Sequence, residues 1–393
     1  MKVIILISLA IMGTSCQLLN KTDLKSDWPP LKSAGDVDCD RWPQRSQDLE
    51  VKTIAMAQTN DGPGFVTKVR TRRGLMEHHY RKFSRGDVDG DYKKLSWGSN
   101  ANYLGSYLLE GKYYFVIETL SKSGRVIEIR DPKSNVIFKK SRTLSRNIRV
   151  ERSYPSPRGI WLIYRDYVED ESMDERPLRI MELALGKGEL LEGTILKSPA
   201  FSSDANVAMT DDNHLFVMWN KVNSRKKNEE FKFAIVKSPI EKSDVFSMTS
   251  DFKDKVESWI VARHRDGVLG VFISGDTLLW ENASMEMKFF SDDGEQLWSK
   301  SFPIENEHVG DPLLVDQGSY SYLIVPKWLD GESTLSVTKV MNGEVQDLGY
   351  FGVFREGTFV AKSLSYKGSD EPQVITQFPV SYIKKFALCT VDL

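Results

Sequence analysis

Hydrophobic and polar positions along this chain alternate in runs of six to nine residues, rich in Val, Ile, Phe, Tyr and Trp. Gly, Asn, Asp and Ser cut the runs apart, which predicts strands joined by turns. The 3.6-residue rhythm of an amphipathic helix is scarce. The stretch DVFSMTSDFKDKVESWI has helix-like composition, but it is short and interrupted.

The strongest runs come in pairs. Leading runs begin at Gly64 (GFVTKVRTR), Lys112 (KYYFVIETL), Gly159 (GIWLIYRDY), His214 (HLFVMWNKV), Gly267 (GVLGVFISG), Tyr320 (YSYLIVPKW) and Gly357 (GTFVAKSLS). A second strand follows each after a polar turn: LMEHHYRKF, RVIEIRDP, PLRIMEL, FKFAIVKSP, MEMKFFSD, TLSVTKV and QVITQFPV. The start-to-start spacing averages about 49 residues, a period that suits one four-stranded blade with two clear strands and two weaker ones. A lone blade cannot bury both of its faces, so blades stack round an axis and the ring closes. The expectation is an all-β fold, a β-propeller of seven blades filling residues 46–393. A pair of large β-sandwiches is the structural alternative. The fifth period is also ambiguous, because DTLLWENA competes with GVLGVFISG for the leading strand.

One period agrees with a known repeat in its letters. MKFFSDDGEQLWSKSFP places Asp293, Gly294, Leu297 and Trp298 where the quinoprotein-type propeller repeat has them, and it resembles that repeat. The resemblance implies a Gly-permitted tight turn with the Trp docking between adjacent blades. IEIRDPKSNVIFKKS, with Asp131 and Phe138, follows the same scheme more loosely.

The first residues read MKVIILISLAIMGTSC. Val3 to Met12 is apolar, and ten helical residues rise about 15 Å, half of a bilayer core of about 30 Å. That is the length of a signal-peptide core and not of a membrane span. The small residues Gly13, Thr14 and Ser15 lead into Cys16, and the segment resembles the lipobox of bacterial lipoproteins. The resemblance implies removal of residues 1–15 and acylation of Cys16, with Gln17 pointing to the outer membrane. The competing reading is ordinary secretion with Cys16 incidental. Residues 16–45, with Pro29, Pro30 and Pro43, are expected to be a semi-extended tether. A lipid-anchored propeller also resembles the propeller lipoprotein of the outer-membrane barrel-assembly machine.

Cys39 and Cys389 remain, near opposite ends of the chain, in a compartment that permits disulfides. They are either two free thiols or one bridge closing a loop of about 350 residues.

Lys plus Arg number 53 against 55 Asp plus Glu, so no global field draws the chain to nucleic acid or anionic lipid. The densest basic cluster, NSRKKNEE at 223–230, is diluted by Glu229 and Glu230 and reads as a solvated hairpin tip. In RGDVDGDYKKLSW, Asp87, Asp89 and Asp91 alternate around Gly90, a spacing that lets carboxylates converge on a hard cation from one tight loop. It resembles the calcium loops of integrin-type propeller repeats without their closing ligand; the bland alternative is an acidic β-turn. His78 and His79 are adjacent on a strand and face opposite ways, while His214, His264 and His308 are solitary. Ser156 in YPSPRG lies in a turn with no evident base. Trp97, Trp161, Trp219, Trp328 and Tyr350 stand at strand ends, as blade packing or as partner anchors.

No nucleophile, metal or phosphate-binding motif is present. The functional expectation is therefore a non-catalytic, lipid-anchored scaffold with no cofactor that binds another protein through one rim. The alternative is an envelope enzyme or a carbohydrate-binding propeller with its site at the central channel.

Overall fold

The structure is a computed structural model. It describes residues 33–391 apart from 36, 42–47, 85–86, 110, 134–141, 167–175, 185–194, 198–204, 223–228, 239–243, 249–251, 253–254, 276–282, 305–307, 330–331, 342, 355–361, 365–372 and 381–382. The described residues contain strands and no helix, and the strands fall into seven sheets. Sheet 1 comprises Asp48–Thr59, Gly62–Thr71, Met76–Ser84 and Asp87–Leu95. Sheet 2 holds Ala101–Leu109, Lys112–Leu120, Arg125–Arg130 and Arg142–Leu144. Sheet 3 holds Ile148–Pro155, Gly159–Asp166, Leu178–Ala184 and Ile195–Lys197. Asn206–Met209, Leu215–Val222, Glu229–Val236 and Val245–Met248 make sheet 4. Val256–His264, Gly267–Ser274, Ala283–Ser291 and Gln296–Ile304 make sheet 5.

Sheet 6 begins with an interrupted first strand, His308–Val309 and Leu313–Asp316, both paired with Ser321–Leu329. Glu332–Met341 and Glu344–Phe354 follow, and Ser33–Gly35 adds a parallel edge. Sheet 7 takes Lys362–Leu364, Gln373–Val380 and Ile383–Val391 from the end of the chain, and its outer strand is Val37–Arg41 from the beginning. All other pairings are antiparallel meanders. The first strands of sheets 1 and 2, 2 and 3, 4 and 5, 5 and 6, and 6 and 7 lie against one another. Asp48–Thr59 of sheet 1 meets Ile383–Val391, the third strand of sheet 7. This is a β-propeller.

The burial pattern explains which parts of the sequence were loudest. A second strand is covered on both faces by the sheets to either side, so every residue of Gly267–Ser274 is buried, as are seven of eight in Gly159–Asp166. Outer strands face water; in Gln296–Ile304 only Ile304 is buried. The apolar clusters straddle neighbouring sheets. Val116 and Ile129 of sheet 2 meet Ile160 and Met181 of sheet 3, while Trp161 and Ile180 of sheet 3 meet Val217 of sheet 4. Between sheets 4 and 5 the contact is aromatic, with Phe216, Phe233 and Phe290 at ring separations of 5.0–5.4 Å. Each wholly buried side chain of this size contributes about 1.5–3 kcal/mol.

Two expectations are corrected in detail. The leading runs are the second strands of sheets 1 to 6 and not the first, because second strands are buried along almost their whole length. GTFVAKSLS ends in the first strand of sheet 7, and QVITQFPV is that sheet's second strand. The stretch read as a tether also includes two strands, Ser33–Gly35 and Val37–Arg41. The last sheet has only three strands of its own, so the beginning of the chain completes it. GVLGVFIS is the sheet-5 strand, and DTLLW lies outside the described residues, as do Phe138 and the cluster 223–228.

Gly294 and Trp298 behave as the repeat resemblance implies. Gly294 sits at φ +86° in the turn before the outer strand of sheet 5, where its N–H donates to the Ser291 carbonyl at 2.9 Å. A Cβ there would stand 3.0 Å from Phe233 and 3.2 Å from Ile235, both in sheet 4. Trp298 stacks on Phe289 at 5.7 Å and closes against Gly343 of sheet 6. Leu297 is exposed. Gly74 also has positive φ, +78°, but open space around it. Gly74→Ala should therefore lose about 1 kcal/mol from backbone strain alone. Gly294→Ala should lose more, because its methyl group also presses on sheet 4. Denaturant titration of the two variants checks this, and equal losses would show that the turn does not pack on its neighbour.

Candidate functional site

Three consecutive first strands open a cavity of about 650 Å³ on the side where first strands meet. Met56, Ala57 and Gln58 line it from sheet 1, Tyr103, Leu104 and Ser106 from sheet 2, and Arg152, Ser153 and Tyr154 from sheet 3. The local backbone explains why polar groups gather here. In sheet 2 the pairing register shifts between Tyr103 and Gly105, and in sheet 3 between Val150 and Arg152. A bulge adds one residue to one strand and re-aims the side chains beside it. Tyr103 and Arg152 stand at those shifts. Gly105 allows the two sheets to close up, since a Cβ there would lie 3.0 Å from Ser153 Oγ.

The polar groups are linked. The Gln58 N–H donates to Ser106 Oγ at 2.8 Å, joining sheet 1 to sheet 2. Tyr103 Oη lies 2.7 Å from the same Ser106 Oγ. Burial, opposed by the Ser106 hydrogen bond, pushes the Tyr103 pKa above its ordinary value, so the phenol stays protonated. Its ring lies parallel to Trp97 at 6.4 Å and edge-on to Phe115 at 5.6 Å. Arg152 donates to the Tyr154 hydroxyl. That oxygen, outweighing the opposing effect of burial and helped by Glu151, pushes the guanidinium's pKa up and keeps it charged. Glu151 is itself engaged by Arg165, with Nε 2.7 Å from Oε1. Among the described residues Arg152 forms no ion pair; solvent reaches it although protein surrounds it on most sides. The arrangement is one cation among hydroxyls in a concave wall, suited to holding an anionic, hydroxyl-rich molecule.

The residues singled out from sequence lie elsewhere. Asp87, Asp89 and Asp91 fall within the span of the outer strand Asp87–Leu95, where the pairing register shifts between Arg81 and Phe83 and leaves Asp89, Gly90 and Asp91 at the irregularity. The side chains of these three Asp residues lie outside the described residues. Among the described residues no three His, Cys, Asp or Glu gather as a metal site. Cys16 lies outside the described residues. The backbone places Cys39 directly opposite Cys389. Ser156 is a turn residue whose Oγ accepts the Gly159 N–H at 2.7 Å. Asp211 pairs with Arg263, which also holds Asp292 at 3.1 Å, tying sheet 4 to sheet 5.

Trp97 and Trp161 are buried packing residues, and Trp161 Nε1 donates to the Asn213 carbonyl at 2.8 Å. Trp219 is half-buried in the sheet 3–sheet 4 cluster, and Tyr350 carries Lys327 over its ring at 4.9 Å. The side chains of Trp328 and His308 lie outside the described residues. Sequence reasoning missed Arg152, Tyr154, Tyr103 and Ser106. They stand on the polar strand just before a loud one, and they carry no motif.

No protein-family model matches the chain, and no curated protein matches it. The likeness to the barrel-assembly lipoprotein therefore rests on the sequence pattern alone. Solved structures do match. An oligogalacturonate lyase in complex with manganese superimposes with a TM-score of 0.52 at 10% identity, over 91% of this chain and 97% of that one. An ulvan lyase bound to a glucuronate–sulfated rhamnose unit gives 0.50 at 9% identity, over 87% and 92%. A prolyl endopeptidase gives 0.49 at 15%, and this chain spans only 50% of its length. At these identities the likeness shows the fold. The expectation of a non-catalytic scaffold is nevertheless overturned. The matched propellers are mostly enzymes, and the rim-binding reading left out the polar cavity where the first strands meet.

The four histidines with described side chains are held by the fold. His78 Nε2 lies 3.0 Å from the Ala101 carbonyl, and His264 Nδ1 lies 2.7 Å from Ser321 Oγ. His79 is buried beside Glu77 at 3.1 Å, and His214 is half-buried at the turn where its carbonyl accepts the Thr210 N–H. Burial first, then Lys68 and His79, lowers the His78 pKa to about 4. Burial likewise lowers His264 to about 4, with Asp316 and Asp266 opposing and Arg265 and Arg263 assisting. Both folded values lie below the model-peptide value of 6.5. As pH falls, the unfolded chain therefore takes up protons first and stability declines. The unfolding midpoint should hold above pH 6.5, fall between 6.5 and 4, and lose nothing further through these groups below 4. His78→Gln with His264→Gln should flatten that slope in a thermal melt series. An unchanged slope would reassign it to other groups.

Proposed function

We propose that the chain is a cell-envelope enzyme of propeller fold whose site is the cavity between sheets 1, 2 and 3, and that it acts on an anionic carbohydrate. The observation that carries this reading is Arg152, a guanidinium that donates to the Tyr154 hydroxyl in a concave wall of Tyr and Ser side chains. A carboxylate or sulfate of a sugar chain pairs with the planar fork of Arg152, and hydroxyls of the sugar meet Ser153 and Ser106. Ser106 Oγ accepts the Gln58 N–H and shares a hydrogen bond with the Tyr103 hydroxyl, which holds it at the cavity wall. The ring of Tyr103, held by Trp97 and Phe115, gives the sugar a flat wall.

Neutralising a uronate carboxylate makes the hydrogen on the adjacent carbon more acidic, so elimination of the glycosidic oxygen is the reaction class such a site favours. Tyr154, beside Arg152, takes the proton from that carbon and returns it to the departing glycosidic oxygen, so the C–H and C–O bonds break as the C=C bond forms. The fold shared with two polysaccharide-cleaving lyases supports the class. The lipobox-like segment ending at Cys16 supports an outer-membrane lipid anchor. On that reading Cys16→Ala leaves the detergent phase in a partition assay, and a variant that stays there ends it.

The test is a panel of acidic and neutral oligosaccharides, followed for new reducing ends and for unsaturated uronate absorbance. Acidic chains should be cleaved and neutral ones spared. Arg152→Ala should reduce kcat/KM about 100-fold, equal to the loss of a charge-assisted contact of about 2.7 kcal/mol. Tyr154→Phe should lower kcat with little change in KM. Equal handling of neutral and acidic chains, or an unaffected Arg152→Ala, would overturn the assignment.

A further inference from the structure

The two ends of the described chain are laced into one sheet. Val37–Arg41 runs antiparallel to Ile383–Val391, from Val37 opposite Val391 to Arg41 opposite Ala387. It is the outer strand of sheet 7, so it has a partner on one side only. Ring closure at this point rests on a short clasp at a sheet edge, where fraying begins. Cys39 occupies the middle rung of the clasp, directly opposite Cys389. On the other side of Cys389, at the same rung, stands Val374.

Directly opposed residues of an antiparallel pair share a face of the sheet, and their Cα atoms lie about 4.5 or 5.5 Å apart according to the type of rung. A disulfide spans Cα separations of about 4.4–6.8 Å, so either type of rung meets the requirement. The register alone brings together two residues 350 positions apart in the sequence. We propose that Cys39 and Cys389 form a disulfide that locks the propeller's clasp. One thiolate attacks a disulfide-bearing oxidant and forms a mixed disulfide, releasing the first thiolate. The second cysteine, deprotonated, attacks the protein sulfur of that mixed disulfide and releases the other. Two cysteine thiols lose two electrons and two protons, and the oxidant is reduced to two thiols. The bond joins the ends of nearly the whole ring, so opening the clasp no longer separates first blade from last.

The experiment uses the full chain. The protein is equilibrated with oxidised glutathione, free thiols are alkylated, and tryptic peptides are weighed without and with reductant. Residues 33–41 should be joined to residues 386–393, and the joined mass should disappear on reduction. The oxidised protein should unfold about 5 °C above the reduced one. Recovery of both peptides singly alkylated, or of either joined to the peptide carrying Cys16, would overturn the proposal. Cys39→Ser and Cys389→Ser should each bring the midpoint to that of the reduced wild type and abolish its response to reductant. A response that persists would overturn the assignment to this pair. Should either variant fail to fold, the oxidised and reduced forms of the unaltered chain still decide.

Discussion

A four-stranded sheet with two apolar faces and no helix to cover them must find another sheet on each side. Every other feature of this molecule follows from that need. Phe290 of sheet 5 reaches Phe216 and Phe233 of sheet 4, while Leu269 and Met287 on the opposite face of the same sheet join Leu323 of sheet 6. Each sheet thus lends one face to each neighbour. The arrangement has no natural end, and the chain resolves it by bending into a ring in which Val37–Arg41 supplies the strand that the final sheet lacks.

Closure has a consequence at the axis. The first strands are fixed in position by the sheets behind them, so a cavity between them has rigid walls. Register shifts in two adjacent first strands turn Tyr103 and Arg152 toward one space, and Ser106 is held there by the Gln58 backbone from the next sheet. The ordering cost of this polar constellation was met when the ring packed, and a ligand entering it finds groups already oriented. Polar links between sheets recur around the ring: Asn206 donates to the Trp259 carbonyl at 3.4 Å, and Ser258 donates to Asp311 at 2.7 Å. Buried Glu118 accepts the Val150 N–H at 3.2 Å from the neighbouring sheet. Such bonds add direction to an otherwise non-directional apolar stack.

Strand content, the recurring unit and the stacking fold could be read from the letters. The reason is local. GIWLIYRD and GVLGVFIS are covered on both faces, so burial is written into consecutive residues and no knowledge of distant partners is needed. The turn at Gly294 was legible for a similar reason, because positive φ asks for glycine at one position whatever surrounds it. First strands such as Asn206–Met209 and outer strands such as Val245–Met248 were faint, being short or wet on one side. Reading the second strands as leading strands is the direct result.

What the tertiary structure alone decided is adjacency across the ring. Arg152, Tyr103 and Gln58 carry no shared motif, and only the bulges and the packing of three sheets bring them to one cavity. The register of the first and last strands set Cys39 against Cys389, when composition left free thiols and a bridge equally open. The acidic alternation at Asp87, Asp89 and Asp91 lies in an outer strand at a break in its register, a placement the letters did not disclose. Sequence records what each residue needs from its immediate surroundings, chiefly burial and backbone freedom. Which residues become neighbours depends on how the ring closes, and that is a property of all its sheets together.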